Sequence, residues 1–338
     1  MTPACPRRAM ILGTGATVLA AIASPGMAQT SLAGPVTLVV ARAPGGLGEV
    51  AARAISDKLA KALGQPVEID FRPGASGSVG AQSVASAAPD GRTLLLGQTA
   101  EIVIEPYLIK DFNPTLEPIA LVAIAPLALV TRAAAPYSSV QEFLQAAPSS
   151  GRELSFASAG RYTPGYFAAE LLRSRTGARF RHVPFDGGGP ALNALVDGRA
   201  DFFFGTLPSA MPLLRAGKLK ALAVSSGKRA PALPYVPTLE ESGIRRFDIT
   251  LWAGVFAPRG ASTDIVSRLN RDINQILGQS DVRDGLVQDG AIITPVSADQ
   301  FRDFIRDERG KYRDFISSEF CSQVSAVGCQ GLGALPLD

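Results

Sequence analysis

Four glycine-rich loops most constrain how this chain folds, because each follows a strand-like segment and opens a helix-like one. The loops are Pro44–Gly48, Arg72–Gly80, Ser158–Gly165 and Asp186–Gly189. The β-branched run 36–40 is typical of a buried strand, and residues 49–63 carry apolar side chains at helical spacing before Gly64. This alternation predicts an α/β protein built on parallel strands with right-handed crossovers.

The same rhythm continues along the chain. Further strands are predicted at 67–71, 93–97, 154–157, 180–185, 201–205 and 220–224, and further helices at 79–88, 166–176, 191–196, 263–277 and 298–317, with one more ending at 216. The long apolar run 116–130 suits strands that leave one sheet and enter another, and 250–257 suits a strand that returns. A length of 338 residues favours two domains.

Composition argues against several classes of function. Lys and Arg number 33 and Asp and Glu 30, with no basic run, which argues against nucleic-acid binding. The single histidine, His182, and the three cysteines show no zinc-ligand spacing. A Ser-His-Asp or Cys-His mechanism would have to use His182, which we interpret as a structural strand residue. We therefore expect no cofactor, no metal and no catalytic residue.

Residues 1–28 have the features of a cleaved export signal. Arg7 and Arg8 form a positive start, 10–23 is uncharged and apolar, and Ala28 ends a small-residue cleavage site. The apolar run is too short to span a membrane, although an uncleaved anchor is the alternative. Export through the general secretory route is expected, and the arginine pair also permits the twin-arginine route. We expect a soluble periplasmic protein.

Two cysteines remain near the end of the mature chain. Cys321 and Cys329 can form a disulfide in an oxidising compartment, and two free thiols are the alternative. Residues 321–338 are rich in Ser, Gly and Ala and lack helical periodicity. We expect this tail to be poorly ordered.

The glycine-rich loops also predict where a ligand binds. Glycine lets the backbone approach a ligand closely, and helix N-termini offer unpaired N–H groups with a partial positive charge. In open α/β sheets the crevice lies at the carboxyl ends of the strands. The first loop has the spacing Gly45-Gly46-x-Gly48, which is not a dinucleotide fingerprint, and no phosphate-binding P-loop occurs. The pattern favours an anion site that needs few charged side chains.

Seven segments carry a family resemblance that extends from about Pro35 to about Phe315. They are Ala43–Gly46, Arg72–Gly80, Ala88–Leu94, Ala157–Pro164, His182–Gly187, Leu207–Val224 and Lys228–Thr238. In these segments the chain resembles the periplasmic solute-binding receptors of tripartite tricarboxylate transporters, the Bug family.

The resemblance implies a two-lobed periplasmic binding protein fold of the flytrap type. Lobe 1 would comprise 29–126 plus 253–320 and lobe 2 would comprise 127–252, with two crossover strands as the hinge. A small organic carboxylate would bind in the cleft of a monomer, which would deliver it to membrane permease subunits. A receptor that signals through a sensor protein is the alternative, and an α/β enzyme is a more distant one.

The resemblance also implies a set of ligand contacts. The implied loop residues are Gly46, Leu47, Gly48, Ser158, Ala159, Gly160, Phe185, Asp186 and Gly187, and the implied side-chain contacts are Ser78, Thr163 and Thr206. Glu49, which stands where the family usually has an aspartate, is also expected at the ligand. Gly205-Thr206 replaces a common Asp-Asn pair. The identity of the ligand therefore does not transfer.

Several side chains admit two interpretations. Arg42 and Arg161 could clamp a second ligand carboxylate, since a guanidinium offers a planar fork, or Arg42 could pair with Glu49 at the cleft rim. Phe185 could line the cleft or pack in the core. Trp252 is interpreted as hinge packing on a crossover strand.

Overall fold

The computed structural model describes residues 1–2, 34–149 and 153–317. From residue 34 onward, these residues belong to one compact unit. The cleavage site after Ala28 and the tail with Cys321 and Cys329 lie outside the described residues. The signal peptide, the disulfide and the disordered tail therefore stay predictions.

The described residues form an alternating series of strands and helices. The strands are β1 (Val36–Val40), β2 (Val67–Phe71), β3 (Thr93–Gln98), β4 (Leu116–Arg132), β5 (Leu154–Ser158), β6 (Phe180–Pro184), β7 (Phe202–Thr206), β8 (Leu219–Val224) and β9 (Thr250–Pro258). The helices are α1 (Leu47–Leu63), α2 (Ser78–Ala85), α3 (Glu105–Leu108), α4 (Val140–Ser149), α5 (Pro164–Thr176), α6 (Gly188–Val196), α7 (Leu207–Arg215), α8 (Thr263–Leu277), α9 (Ser280–Gln288) and α10 (Ala298–Phe315). A π-helical turn, Ala100–Ile104, leads into α3.

One continuous sheet has the strand order β2-β1-β3-β9-β4-β7-β5-β6, with β8 also paired to β4. Strand β1 is parallel to β2 and β3, and β5 is parallel to β6 and β7, as the crossover rhythm predicts. We use "first half" for β1–β3, β9 and the helices α1–α3 and α8–α10. We use "second half" for β5–β8 and α4–α7.

Strand β4 joins the two halves. Its residues Leu116–Pro126 pair antiparallel with β9 in the first half. Its residues Leu127–Arg132 pair antiparallel with β7 and β8 in the second half. This confirms that the long apolar run passes from one part of the sheet to another. The exact lobe boundaries stay a prediction.

Helix α1 shows how sequence fixes an element that supports the cleft. Its apolar face, which includes Ala51, Ile55 and Leu59, is fully buried under the first half of the sheet. Gly64 ends the helix with φ 68°, and its N–H donates to the Ala60 carbonyl, which confirms the predicted C-terminal cap. The short loop from Val40 to Leu47 places the first residues of α1 near the carboxyl end of β1.

Trp252 lies near the start of β9, where the chain returns from the second half to the first. It is fully buried, pairs with Ile124 of β4, and packs edge-on against Phe301 of α10 at 5.8 Å between ring centres. Its indole Nε1 donates to Glu308 at 3.2 Å. Trp252 is therefore a packing residue at the junction of the halves. Among the described residues, none of the helices combines the length and the apolar character needed to cross a bilayer.

Candidate functional site

A cavity of about 580 Å³, its open mouth included, lies between the two halves. Four helices begin at its wall, and the residues at their starts are Leu47 of α1, Pro164 of α5, Gly188 of α6 and Thr206 just before α7. Each helix N-terminus carries a partial positive charge of about half an elementary unit. The cavity is therefore suited to an anion, even before any charged side chain is considered.

Eight of the fifteen residues predicted to bind the ligand line this cavity. They are Arg42, Gly46, Leu47, Gly48, Glu49, Ala159, Thr163 and Thr206. The other seven are Ser78, Ser158, Gly160, Arg161, Phe185, Asp186 and Gly187, and none of them is part of the cavity wall. The sequence predicts well which loops lie near the cavity. It does not by itself identify which residues of those loops form the cavity wall.

Several of the remaining predicted residues form the contact between the halves. The Ala43 N–H donates to the Asp186 carbonyl at 3.0 Å. The Ser76 hydroxyl donates to the Arg161 carbonyl at 2.8 Å, while the Arg161 side chain is exposed. These residues close the cleft edge through backbone atoms.

Two glycines face each other where the halves meet. A Cβ at Gly45 would lie 2.5 Å from the Gly189 Cα, and a Cβ at Gly189 would overlap the Pro44 carbonyl oxygen. No side chain fits at either position while the halves are in contact. The first and fourth glycine-rich loops are thus needed for a tight backbone contact, beyond making turns.

Arg42 belongs to a buried group that we call the ionic cluster: Arg42, Glu101, Glu105 and Ser78. The Arg42 Nη2 lies 3.1 Å from Glu101 Oε2 and 3.9 Å from Glu105 Oε1. The interpretation of Arg42 as a partner of Glu49 at the rim is wrong. Both glutamates are fully buried, so the guanidinium is held against the wall from behind.

Arg42 also reaches across the cleft. Its Nη1 donates to the Ala159 carbonyl of the second half at 3.0 Å, and its Nη2 donates to the Ser76 carbonyl. Its donors are therefore shared between the ionic cluster and the loop contact. Arg42 is both a wall residue and a bridge between the halves.

Glu105 is the member of the ionic cluster whose carboxyl group is only partly hydrogen-bonded. Its Oε2 accepts from the Ser78 hydroxyl at 2.6 Å, and its Oε1 has no hydrogen-bond partner among the residues that the structure describes. Burial raises the pKa of Glu105 to about 8, against the lowering effect of the Arg42 guanidinium. A neutral Glu105 explains how two carboxyl groups share one buried cation.

Glu49 lies at the cavity wall with both oxygens engaged. Its Oε2 accepts from the Gly45 N–H at 2.6 Å, and its Oε1 accepts from Arg53 Nε at 2.7 Å. Arg53 is 65% exposed, so water and salt screen this pair. Glu49 places a negative charge beside the cavity and stabilises the first glycine-rich loop.

The second half supports its loops with what we call the aromatic cluster: His182, Ser158, Phe156 and Tyr166. The His182 ring stacks on Phe156 and meets Tyr166 edge-on, each at 4.8 Å between ring centres. Its Nε2 lies 2.6 Å from Ser158 Oγ, which also accepts from the Gly160 N–H. Burial, with the nearby Arg161 charge, lowers the pKa of His182 to about 4, so the ring is neutral.

Hydroxyl groups complete the polar part of the wall. Thr163 caps α5: its Oγ1 accepts from the Tyr166 N–H at 3.3 Å and donates to the Gly160 carbonyl at 2.9 Å. Thr206 Oγ1 lies 2.8 Å from Ser209 Oγ, and either hydroxyl can donate. The Thr206–Ser209 pair therefore keeps a proton that can be given to a ligand.

Sequence reasoning missed most of the apolar wall. The unpredicted lining side chains include Val40, Gln98, Leu127, Phe203, Phe204 and Leu251. Phe202 and Phe204 of β7 are both buried. Phe203 and Phe204 both line the cavity although they are adjacent on β7, so alternation along the strand does not distinguish wall from core here. Phe185 is half-buried beneath the Arg199 guanidinium and faces neither the cavity nor the core fully.

Across residues 34–149 and 153–317, no group of three or more His, Cys, Asp and Glu side chains is placed to hold a metal ion.

The chain is similar to known receptors over nearly all of its described length. The model of the tripartite tricarboxylate transporter family receptor matches residues 51–319. Protein BugT of Bordetella pertussis is 33% identical over 294 residues, which are 86% of this chain and 90% of BugT. The match to BugT places the chain among the Bug-type sequences that the motifs indicate.

Solved structures give the same result. MatC of Rhodopseudomonas palustris with bound malate has a TM-score of 0.79 and 35% identity, covering 84% of this chain and 99% of MatC. The protein Rpa4515 of R. palustris with adipate has a TM-score of 0.81 and 30% identity, covering 84% and 97%. The α/β fold with two sheet sections around a cavity is thus a periplasmic binding protein fold, and the chain belongs to the tripartite tricarboxylate transporter receptors of the Bug family.

Proposed function

We propose that the mature protein is a periplasmic receptor that captures a small organic carboxylate between two lobes and delivers it to a tripartite permease. The observation that carries this proposal is the convergence of four helix N-termini on one cavity. Unpaired N–H groups and the helix dipole make such ends anion sites. The relatives crystallised with malate and with adipate support a carboxylate as the ligand class.

Helix α1 offers the clearest donors. Its first helical hydrogen bond is made by the Glu49 N–H, which donates to the Gly46 carbonyl at 3.1 Å. The N–H groups of Leu47 and Gly48 precede that bond, and both residues line the cavity. The Thr206–Ser209 hydroxyl pair lines it from the second half. Donors from both halves would hold one carboxylate only when the halves are in contact.

Closure would couple binding to delivery. The predicted lobes, 29–126 plus 253–320 and 127–252, meet at the Gly45–Gly189 approach and at the Arg42 contact with Ala159. Both contacts need the two halves together. A ligand that bridges the halves would favour this closed state by population shift or induced fit.

An enzymatic function is a second candidate because Ser158 and His182 form a close hydroxyl–imidazole pair. Three features argue against it. Ser158 is fully buried, the pair is absent from the cavity wall, and no carboxylate is among the groups that shift the pKa of His182. A nucleophile needs access to substrate and an oriented base. We therefore propose that the pair is structural and that the protein has no turnover.

The experiment is a thermal-shift screen of the chain from Gln29 onward, freed of ligand by unfolding and refolding. The panel holds mono-, di- and tricarboxylates, amino acids and nicotinamide nucleotides. A ligand at one hundred times its Kd stabilises by about 2.7 kcal/mol. A carboxylate hit without turnover is expected. A response to nucleotides alone, turnover that Ser158→Ala abolishes, or silence toward every carboxylate would overturn the proposal.

Two glycine variants make the screen sharper. Gly189→Ala places a methyl group against the Pro44 carbonyl, so the halves cannot come together and the shift on adding ligand should be lost. Gly285→Ala in α9 meets no atom of the described residues within 4 Å and should keep the full shift. Equal shifts in both variants would show that closure of the two loops does not accompany binding.

A further inference from the structure

Arg42 connects the buried ionic cluster to the contact between the two halves. Its Nη1 donates to the Ala159 carbonyl of the second half, while its Nη2 faces Glu101 and Glu105 of the first half. We infer that Glu105 binds a proton when the halves close, so that the receptor takes up a carboxylate and a proton together. This inference rests on the proposed function and adds a second, linked ligand to it.

The two glutamates of the ionic cluster receive unequal shares of the guanidinium. Arg42 Nη2 lies 3.1 Å from Glu101 Oε2 but 3.9 Å from Glu105 Oε1. Glu101 Oε1 also accepts from the Gln98 N–H at 2.7 Å, whereas Glu105 Oε1 has no hydrogen-bond partner among the described residues. Both carboxyl groups are fully buried, and a buried carboxylate without enough partners is strongly unfavourable. Glu105 therefore carries a proton on Oε1, since its Oε2 already accepts from the Ser78 hydroxyl.

Contacts across the cleft hold the guanidinium away from Glu105. The first is direct, because the Ala159 carbonyl accepts from Arg42 Nη1. The second involves Ser76: its carbonyl accepts from Arg42 Nη2, and its hydroxyl donates to the Arg161 carbonyl of the second half. Ser76 has a left-handed φ of 57°, which is unfavourable for a residue other than glycine and persists only where contacts hold it. Closure therefore fixes these two carbonyl acceptors of Arg42.

Separation of the halves would release the guanidinium. The Ala159 carbonyl would leave with the second half, and Ser76 would lose the bond that helps to hold its strained backbone. Arg42 lines the cavity, so it could then turn toward Glu105 Oε1 while water enters beside it. A close cation and water both favour the ionised carboxylate. Glu105 therefore gives its proton to water on opening and takes one back on closing.

The ionisable groups around Glu105 support this assignment. Burial raises the pKa of Glu105 to about 8, with Glu101 adding to the rise and Arg42 opposing it. Helix α2 contributes the uncharged hydroxyl of Ser78. Helix α10 packs against the π-helical turn, but its charges act on Tyr107, whose pKa is raised by burial, and they are Arg309, Arg313 and Asp314. The proton on Glu105 is thus exchanged in the neutral range of pH.

The test measures proton uptake on binding. Binding of adipate and of malate to the ligand-free mature protein is followed by calorimetry in phosphate and in Tris, whose enthalpies of ionisation differ. Where neither binds, the carboxylate with the largest shift in the thermal screen replaces them. The difference in heat between the two buffers at pH 7 should give an uptake of about 0.5 to 1 proton.

The affinity should change with pH in the matching direction. Proton binding and ligand binding are linked reciprocally, so the Kd of the carboxylate should increase by about three- to fivefold from pH 7 to 8. Carboxylate ligands stay ionised in this range. The pKa of His182 is lowered to about 4 by burial, so its ring stays neutral there as well. Neither group accounts for the expected change.

A variant assigns the proton to one residue. Glu105→Gln keeps the side-chain shape and an acceptor for Ser78 but cannot ionise, so its Kd should be constant from pH 7 to 8 and its proton uptake lost. At pH 8 this variant should bind the carboxylate more tightly than the unmodified protein, a gain that damage to the structure would not produce. Glu308→Gln is the matched control, because Glu308 is also buried in the first half, beside Trp252. It should keep both the uptake and the pH dependence.

The outcomes separate this inference from the proposed function. Carboxylate binding without proton uptake, or with a Kd that is constant from pH 7 to 8, would overturn the inference and leave the receptor function standing. A pH dependence that persists in Glu105→Gln would also overturn it, because the proton would then belong to another group. Failure of every carboxylate in the screen to bind would overturn both.

Discussion

The two halves support their cleft loops by opposite means. The ionic cluster holds the first half with one guanidinium between two buried glutamates. The aromatic cluster holds the second half with a neutral imidazole between two rings and a serine hydroxyl. Both clusters stand behind loops that meet across the cleft. The contrast teaches that a cleft loop can be held in place either by a buried charge or by ring packing. The two means differ in how much stability a substitution removes and in how stability depends on pH.

The energetic difference follows from how each cluster fails. Removing one member of a buried ion pair leaves an uncompensated charge in a poorly hydrated place. Removing one ring from an aromatic cluster leaves a gap and an unmade hydrogen bond, both of which are smaller penalties. Variants of Arg42 and His182 therefore test the comparison directly.

The largest effect is expected for Arg42→Met. Met keeps much of the side-chain volume but leaves Glu101 buried and unpaired, so the free energy of unfolding at pH 7 should fall by about 3 to 5 kcal/mol. Arg302→Met is the control, because Arg302 is 50% exposed and its pair with Glu117 should contribute at most about 1 kcal/mol. Urea unfolding measures both. A loss in Arg42→Met no larger than in the control would mean that the ionic cluster does not hold the first half.

A smaller effect is expected in the aromatic cluster. His182→Ala removes the ring between Phe156 and Tyr166 and the partner of Ser158, which should cost about 2 kcal/mol. His182→Phe keeps a ring and loses only the hydrogen bond, so about 1 kcal/mol is expected. The same urea unfolding applies. If His182→Phe lost as much as His182→Ala, hydrogen bonding rather than ring packing would dominate this cluster.

The sequence predicts one cluster better than the other. His182 lies on a predicted strand, and its family pattern indicates a structural role, so its place beside Ser158 follows from the parallel pairing of β5 and β6. Arg42 is 59 residues from Glu101. That contact depends on how the π-helical turn packs against the end of β1, and no periodic pattern in the sequence predicts it. The sequence alone offered Glu49, a near neighbour in the chain, as the partner of Arg42. In the structure Arg42 pairs with the distant Glu101 instead.

The same limit explains which elements were missed. Strand β1 and helix α1 are predicted well because their buried faces repeat regularly and glycine marks the helix end. Helix α9 is missed because its buried residues are only Val282 and Leu286, too few to give a period. The cavity was located by its loops, while its apolar wall depends on strands from both halves and could not be assigned without the fold.

The two clusters also predict opposite responses to pH. The pKa of Glu105 is raised from 4.5 to about 8, so the folded state keeps a proton that the unfolded state loses. The contribution of Glu105 to the free energy of unfolding is fully present below pH 4.5 and is lost as the pH rises toward 8. The pKa of His182 is lowered from 6.5 to about 4, so its contribution is present above pH 6.5 and is lost as the pH falls toward 4.

The sum of the two contributions gives a testable profile. Between about pH 4.5 and 6.5 the two groups change the free energy of unfolding in opposite directions. From pH 6.5 to 8, Glu105 is the one of the two that still titrates, so the free energy of unfolding declines by at most about 1.4 kcal/mol per pH unit. Glu105→Gln should remove the decline above pH 6.5. Below pH 6.5 it should leave the His182 contribution alone, so the free energy of unfolding should increase as the pH is raised from 4.5 to 6.5. Unfolding measured in half-unit steps from pH 4.5 to 8 checks this. A decline that persists in Glu105→Gln would assign it to another group.

The smallest effect should appear in ligand binding and leave stability nearly unchanged, because it concerns a single hydrogen bond across the cleft. The Ser76 hydroxyl donates to the Arg161 carbonyl of the opposite half. Ser76→Ala removes about 1 kcal/mol from the closed state alone, so a carboxylate ligand should bind about fivefold more weakly. Ser242→Ala removes a bond of the same type, to the Thr238 carbonyl, within the second half. The Ser242→Ala variant should therefore bind the ligand as tightly as the unmodified protein does. If both variants bound equally well, the Ser76 contact would not contribute to closure, and the bridge between the halves would rest on Arg42 and the glycine loops.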